Sequence, residues 1–257
     1  MSAQMDRVTD LAMQPLCGER LLAAWDEAQH DDALQRARTL LAVALPDVER
    51  RHLEQMPIAG RNRLLLQLRS LSFGPTLAGF ASCPDCGGSL EFSLPIRAVL
   101  EQLAEHEPHD RIEWHERDRR LRLRAINTAD LLATLDAPDA AAEDLLLARC
   151  LTVIDSQVPT PPTAPADSTT ARELFERLHA ATELRCTLAC PHCSNSASLD
   201  LDIAHFLWVE VRHAAQQLIG DIHTLASHYG WREIDIARMS AQRRNEYLKL
   251  LAGQSFL

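Results

Sequence analysis

The chain has 257 residues, 46% of them hydrophobic and 24% charged, and a formal net charge of −10. That length supports a real core in one large domain or two smaller ones, and the acidic balance excludes broad, non-specific gripping of a phosphate backbone. No apolar run approaches the roughly 20 residues a bilayer demands, and the single lysine, Lys249, leaves no G-x-x-x-x-G-K-[ST] phosphate loop.

The opening stretch MSAQMDRVTDLAMQPL is mixed and acidic, unlike a secretory leader. A cytoplasmic setting with reduced thiols is expected. Residues 19–44 read as one amphipathic helix, with Leu21, Leu22, Trp25, Ala28, Leu34, Leu40 and Leu41 near helical spacing. Pro46 and Pro57 each can open a following helix, and Arg61–Ser70 is apolar on one side and arginine-rich on the other. Gly74-Pro75 closes this N-terminal helical region, residues 1–75.

A second region, 76–202, begins with two strand-like runs, TLAGFAS and SLEFSL, on either side of Cys83-Pro-Asp-Cys86. Leu90, Phe92 and Leu94 alternate with polar neighbours, the period of a strand. A further hairpin is expected over Arg111–Arg124, turning at Glu116-Arg117-Asp118. Asn127 or Thr128 then caps a short helix, and Pro138 introduces another, Ala140–Leu151. Residues 157–169, with Pro159, Pro161, Pro162 and Pro165, read as an extended linker. Arg172–Ala181 is expected to be helical, and Glu183–Leu188 a strand entering Cys190-Pro-His-Cys193. The returning strand is expected at Ser198–Asp202.

The last region, 203–257, opens with one long helix, Ile203 to about Tyr229, striped by Leu207, Val211, Ala214, Leu218, Ile222 and Leu225. Gly230 is a fitting stop, and Ser240 caps a final helix to Ala252. The expected fold class is α+β: helix-dominated, with small β-hairpins forming a split zinc ribbon, then the long helix and a helical hairpin.

Seven cysteines in a reduced chain are metal ligands before they are disulfides. Two residues between thiolates let both sulfurs reach one ion about 2.3 Å away, and a ribbon sets two such knuckles face to face. Cys83, Cys86, Cys190 and Cys193 are therefore the expected ligands of a structural Zn2+. Residues 87–189 separate the halves, which is tolerable because loop-closure entropy grows only logarithmically. Cys186, Cys190 and Cys193 also spell C-x-x-x-C-x-x-C, the radical-SAM spacing for a [4Fe–4S] cluster. That alternative ignores Cys83 and Cys86 and leaves only helical sequence after the motif. A thioredoxin-like dithiol lacks its βαβ setting. Cys186 fits an inward strand position, Cys17 and Cys150 read as core or surface residues, and His192 could replace a sulfur.

Four thiolates leave zinc no open position, so the site reads as structural and the chain as no enzyme. The histidines include no i, i+4 metal pair, and G-x-S-x-G, H-E-x-x-H and G-x-G-x-x-G are absent. The tail carries Arg238, Arg243, Arg244 and Lys249 and could pass for a helix-turn-helix. Interleaved Glu233, Asp235 and Glu246 favour a helical hairpin packed on the long helix. Trp208, Trp231 and Tyr247 are candidate partner anchors, although such aromatics are more often core.

Several stretches taken together resemble a family encoded beside contractile-tail genes: MPIAGRNRLLLQLR, FGPTLAGFASCPDCGGSLEFSL, RLRLRAINTADL, LACPHC, HFLWVEVRHAAQQLIGDIHTLASHYGW and SAQRRNEYLKLL. The family is that of the baseplate proteins, or baseplate hub assembly chaperones, of contractile-tailed phages and injection systems. The resemblance implies a non-enzymatic role docking other baseplate or tail proteins, in the bacterial cytosol or retained in the tail particle. It implies no membrane and no small-molecule substrate. The proline-rich insert and Cys186 depart from the family pattern. The competing function is a zinc-ribbon adaptor for nucleic acid or transcription.

Overall fold

The period-2 and period-3.6 segments fold into a mixed architecture, 56% helical and 20% strand, with small antiparallel hairpins and one long helix. This computed structural model describes residues 12–105, 110–116, 119–156, 169–180, 182 and 184–253. The proline-rich linker expected at 157–169 falls outside them but for Thr169, as do residues 1–11, His106, His109, the turn residues Arg117 and Asp118, and Glu183.

In chain order the elements are α1 (Gly18–Ala28), α2 (Ala33–Ala44), α3 (Arg50–Gln55), α4 (Ile58–Phe73), β1 (Thr76–Ser82), β2 (Ser89–Pro95), α5 (Ile96–Glu105), β3 (Arg111–Glu116) and β4 (Arg119–Arg124). Then follow α6 (Thr128–Leu132), α7 (Asp139–Cys150), β5 (Leu151–Ser156), α8 (Thr169–Ala180), β6 (Arg185–Ala189), β7 (Ser196–Asp200), α9 (Ile203–Tyr229), α10 (Glu233–Ala237) and α11 (Ala241–Leu251). No helix among the described residues is long and apolar enough to cross a membrane.

The chain divides into two compact units: residues 1–48, 68–74 and 204–257, and residues 49–67 and 75–203. The first unit thus takes residues 1–48 and 68–74 of the N-terminal region and nearly all of the C-terminal one, while the second takes the whole middle region, 76–202, together with residues 49–67. In the first, the buried stripe of α9 is Leu207, Val211, Ala215, Leu218, Ile222 and Leu225. Ala215 sits in the seam where the sequence reading put Ala214, because the step from Val211 is four residues. Arg69 is buried and donates to both carboxylate oxygens of Glu210, at 2.9 and 2.7 Å. Gly230, at φ 67°, ends α9 in the left-handed conformation. Gly18 opens α1 so close to α10 that a Cβ there would stand 2.5 Å from the Ala237 carbonyl oxygen.

The helix expected over 19–44 is two helices. Asp32 starts the second by accepting a hydrogen bond from the Gln35 backbone N–H at 2.8 Å. Arg36 ties off the turn by donating to the Ala28 and Asp31 carbonyls, so the local caps override an otherwise continuous apolar stripe.

In the second unit, β3-β4-β5 form an antiparallel sheet. Its inner face packs Leu121, Leu123 and Leu151 against Leu147 and Cys150 of α7 and Phe175 and Leu178 of α8. Helices α3 and α4 follow Pro46 and Pro57, whereas strand β5 and helix α5 were not anticipated. α7 passes into β5 with Leu151 both its C-cap and the first strand residue, and no glycine or proline marks the change. α5 does have a signal, Pro95 followed by Ile96, Val99, Leu100 and Leu103 at helical spacing. β7 begins at Ser196 and ends at Asp200, two residues before the expected span. The knuckle loop is short, and Ser196 already pairs with Ala189.

Candidate metal centre

The two knuckles sit at the tips of antiparallel hairpins, β1–β2 with Thr76 opposite Pro95 and β6–β7 with Arg185 opposite Asp200. Alternation makes each tip: in β2 and β7 one face buries Leu90 and Ala197 beside Cys83 and Cys190, and Ala81, Leu188 and Leu199 pack around them. Leu90 follows Cys83 by the same seven residues by which Ala197 follows Cys190.

The equivalence extends through the turns. The Cys83 N–H donates to the Gly88 carbonyl (2.8 Å) and the Gly87 N–H to the Cys83 carbonyl (2.9 Å). In the second knuckle the Cys190 N–H donates to Asn195 (2.9 Å) and the Ser194 N–H to Cys190 (2.9 Å). Gly87 and Ser194 hold the same left-handed backbone, at φ 70° and 61°. Two copies of one backbone turn thus present two sulfurs each.

All four sulfurs lie within 4.8 Å of one another. The sequence-predicted ligands Cys83, Cys86, Cys190 and Cys193 are therefore brought together, from two hairpins far apart in the chain. Contacts cross between knuckles: Cys83 Sγ is 3.8 Å from Cys193 Sγ and Cys86 Sγ 3.7 Å from Cys190 Sγ. Sulfurs bound about 2.3 Å from one ion at tetrahedral angles stand about 3.8 Å apart, so the donor set fits a four-thiolate metal site. A disulfide would need about 2.05 Å, and all seven cysteines are free. Cys83 and Cys190 are buried, Cys193 is half-buried and Cys86 exposed.

The turns also tune the sulfurs. The Cys193 backbone N–H holds the Cys190 thiol down at about 6, against burial and with help from the His192 N–H. Cys193 is pushed up to about 12: the Asn195 N–H works to lower it, but burial and the three neighbouring sulfurs raise it further. Crowded sulfurs cannot all carry negative charge alone, and a divalent cation relieves that repulsion.

Two side chains bind the knuckles to each other. Asn195 Nδ2 donates to Asp85 Oδ2 at 3.1 Å. His192, considered above as a substitute ligand, lies instead against Gly88, where a Cβ would meet its ring at 2.4 Å. Asp85 and His192 are the third residues of their knuckles, and Gly88 and Asn195 the sixth. Sequence reasoning missed Asp85, Gly88 and Asn195 and gave His192 a different role, although the aligned spacing C-P-x-C-x-x marks all four.

Cys186 is half-buried on β6 opposite Leu199 and is not among the converging sulfurs. The set needed for the C-x-x-x-C-x-x-C alternative is therefore not assembled. Cys17 is exposed ahead of α1 and Cys150 is buried under the β3-β4-β5 sheet. In the tail, Arg238 pairs with Glu19, Arg244 with Asp221 and Lys249 with Glu246, so these basic side chains are engaged within the fold. Trp208 is buried, with the Arg36 guanidinium 4.6 Å over its ring.

No family model, curated protein or solved structure matches this chain.

Proposed function

We propose that Cys83, Cys86, Cys190 and Cys193 hold a structural zinc ion. We further propose that the chain is a non-enzymatic assembly or structural factor for the baseplate of a contractile phage tail or injection system. The observation that carries the first part is the convergence of four sulfurs at spacings a tetrahedral thiolate site requires. Soft thiolates select zinc or iron–sulfur over hard cations, and the reduced bacterial cytosol is where such a site would persist. Four protein ligands leave no position for water or substrate, which supports a structural role. Zinc supplies a cross-link here: by holding both knuckles it closes the long chain between them into one body.

The tail assignment is supported by the resemblance to the baseplate family of several stretches that span, in order, most of residues 56–252. In this role the protein docks other tail proteins and needs neither nucleic acid nor a small substrate.

Two experiments test the pair of claims. Elemental analysis of protein purified under reducing conditions should give one zinc per chain, lost in the Cys83→Ser/Cys190→Ser variant. Stoichiometric iron with a brown colour would overturn the zinc reading. A tagged chain expressed with a complete contractile-tail gene set should co-purify with baseplate components. Steeply salt-dependent duplex binding, with no tail association, would favour the adaptor reading instead.

A further inference from the structure

Both tyrosines of the chain and one of its four tryptophans meet at one surface. Tyr229, the last residue of α9, stacks on Trp231 with ring centroids 4.5 Å apart. Tyr247 of α11 packs edge-on against both, at 5.8 and 4.9 Å. Among the described residues nothing covers the cluster: Tyr229 is 38% exposed and Leu250, one helical turn beyond Tyr247, 41%. A shallow groove of about 460 Å³ runs beside it, lined by Ser240, Gln242, Arg243, Glu246, Tyr247 and Leu250.

The charges on this groove are unequal in their engagements. Glu246 is held by Lys249 at 2.9 Å. Arg232, Arg238 and Arg244 pair with Asp235, Glu19 and Asp221. Arg243 forms no ion pair among the described residues, and its exposed guanidinium lines the groove next to Tyr247. Among the described residues Arg243 is thus the one of these five cations without a carboxylate partner, and its guanidinium fork is open to one from elsewhere.

We infer that this face binds an acidic segment of another protein, one that lays an aliphatic or aromatic side chain against Tyr247 and Leu250 and sets a carboxylate on Arg243. Rigid aromatics give large contact area at little entropic cost and dominate interface energetics. The guanidinium fork adds geometry and specificity. A second copy is the poorer occupant, because the carboxylate this patch would offer Arg243 is Glu246, already held by Lys249. The inference rests on the docking role proposed above and is independent of the metal and of the tail.

The test uses the full-length, metal-loaded protein and two pools of labelled synthetic peptides. One pool intersperses Leu, Ile and Phe with Asp and Glu, the other with Lys and Arg. Fluorescence anisotropy should show saturable binding of the acidic pool only. Arg243→Glu should weaken that binding about tenfold or more and confer binding of the basic pool, a gain that loss of folding cannot mimic. Tyr247→Ala should weaken acidic-pool binding, whereas Arg212→Glu, exposed on α9 far along the helix, should leave it unchanged. Equal binding of both pools, binding of neither, or indifference to Arg243→Glu overturns the inference. So does sedimentation showing self-association that Tyr247→Ala abolishes, which assigns the face to a second copy. Peptide binding without tail association keeps the acidic-partner face and removes only the baseplate assignment.

Discussion

Asn195 donates to Asp85 across the two knuckles at 3.1 Å, while in the equivalent place on the other side His192 lies against Gly88. One hydrogen bond and one ring-on-backbone contact therefore clamp the same pair of turns from two directions. A Cβ at position 88 would sit 2.4 Å from His192 Cδ2 and 3.3 Å from Cys86 Sγ. Gly88→Ala must push the ring away and crowd the Cys86 sulfur. We expect it to cost about 1–2 kcal/mol, and His192→Ala less. In the double variant the ring is already gone, so the combined cost should fall below the sum by about 1 kcal/mol. Urea unfolding of the four metal-loaded proteins measures this cycle, and strict additivity would show that His192 does not close over Gly88.

The left-handed turn residue gives an independent comparison between the knuckles. Among the described residues Ser194 is the sole non-glycine with positive φ, and Gly87 holds the matching position. A side chain in this conformation costs about 1 kcal/mol or more, partly offset by the lower unfolded-state entropy it brings. Ser194→Gly should thus be neutral to stabilising by about 0.5 kcal/mol, and Gly87→Ala destabilising by about 1 kcal/mol. Nothing lies within 4 Å of a Cβ at Gly87, so the effect there is conformational and not steric. Thermal unfolding of both variants checks the opposite signs.

The convergence of the four knuckle cysteines was legible because they are written as two copies of one short motif, and the long helix because its stripe persists over many turns. The residues that clamp the knuckles were less so: Asp85 and Asn195 become a pair only once the turns face each other. β5 was illegible for another reason. LTVIDS follows an amphipathic helix with no breaker, and its strand state is fixed by pairing with β4, a tertiary effect that local propensity does not contain. The split at Asp31-Asp32 was misread because period alone was weighed, and a capping aspartate inside the stripe went uncounted.

Asp130, 1% exposed, accepts from both Arg124 and Arg149 and caps the Asn127 N–H at the start of α6. Burial works to raise its carboxyl, but the Arg124 hydrogen bond, the Asn127 N–H and Arg149 outweigh it and hold it below the ordinary carboxylate value. A folded-state value below the unfolded one means that this stabilisation is complete above the ordinary carboxylate range. It disappears as pH falls through the depressed value. Asp130→Asn should cost about 2–4 kcal/mol at neutral pH, with Arg124 and Arg149 half-exposed and able to recover some solvation. The gap between wild type and variant should narrow as the pH is taken down towards 2. A gap that stays constant over that range would show that the charge on Asp130 contributes nothing.

Thiol accessibility separates the four knuckle sulfurs from the rest without any assay of activity. Cys17 is exposed and Cys186 half-buried. Burial, with Asp130 adding to it against the opposing Arg124 and Arg149, pushes the Cys150 thiol up to about 12. At pH 8 Cys150 is then almost wholly protonated as well as shielded, and its reaction with a disulfide reagent awaits unfolding. In the zinc-loaded protein Cys17 should react at once and Cys186 more slowly, while the four knuckle thiolates stay masked by the metal. Stripping the ion with a strong chelator should release all four together, because each knuckle alone holds only half of the ligand set. Exposed Cys86 makes the experiment discriminating: were no metal bound, it would react in the first phase with Cys17, and chelator would change nothing.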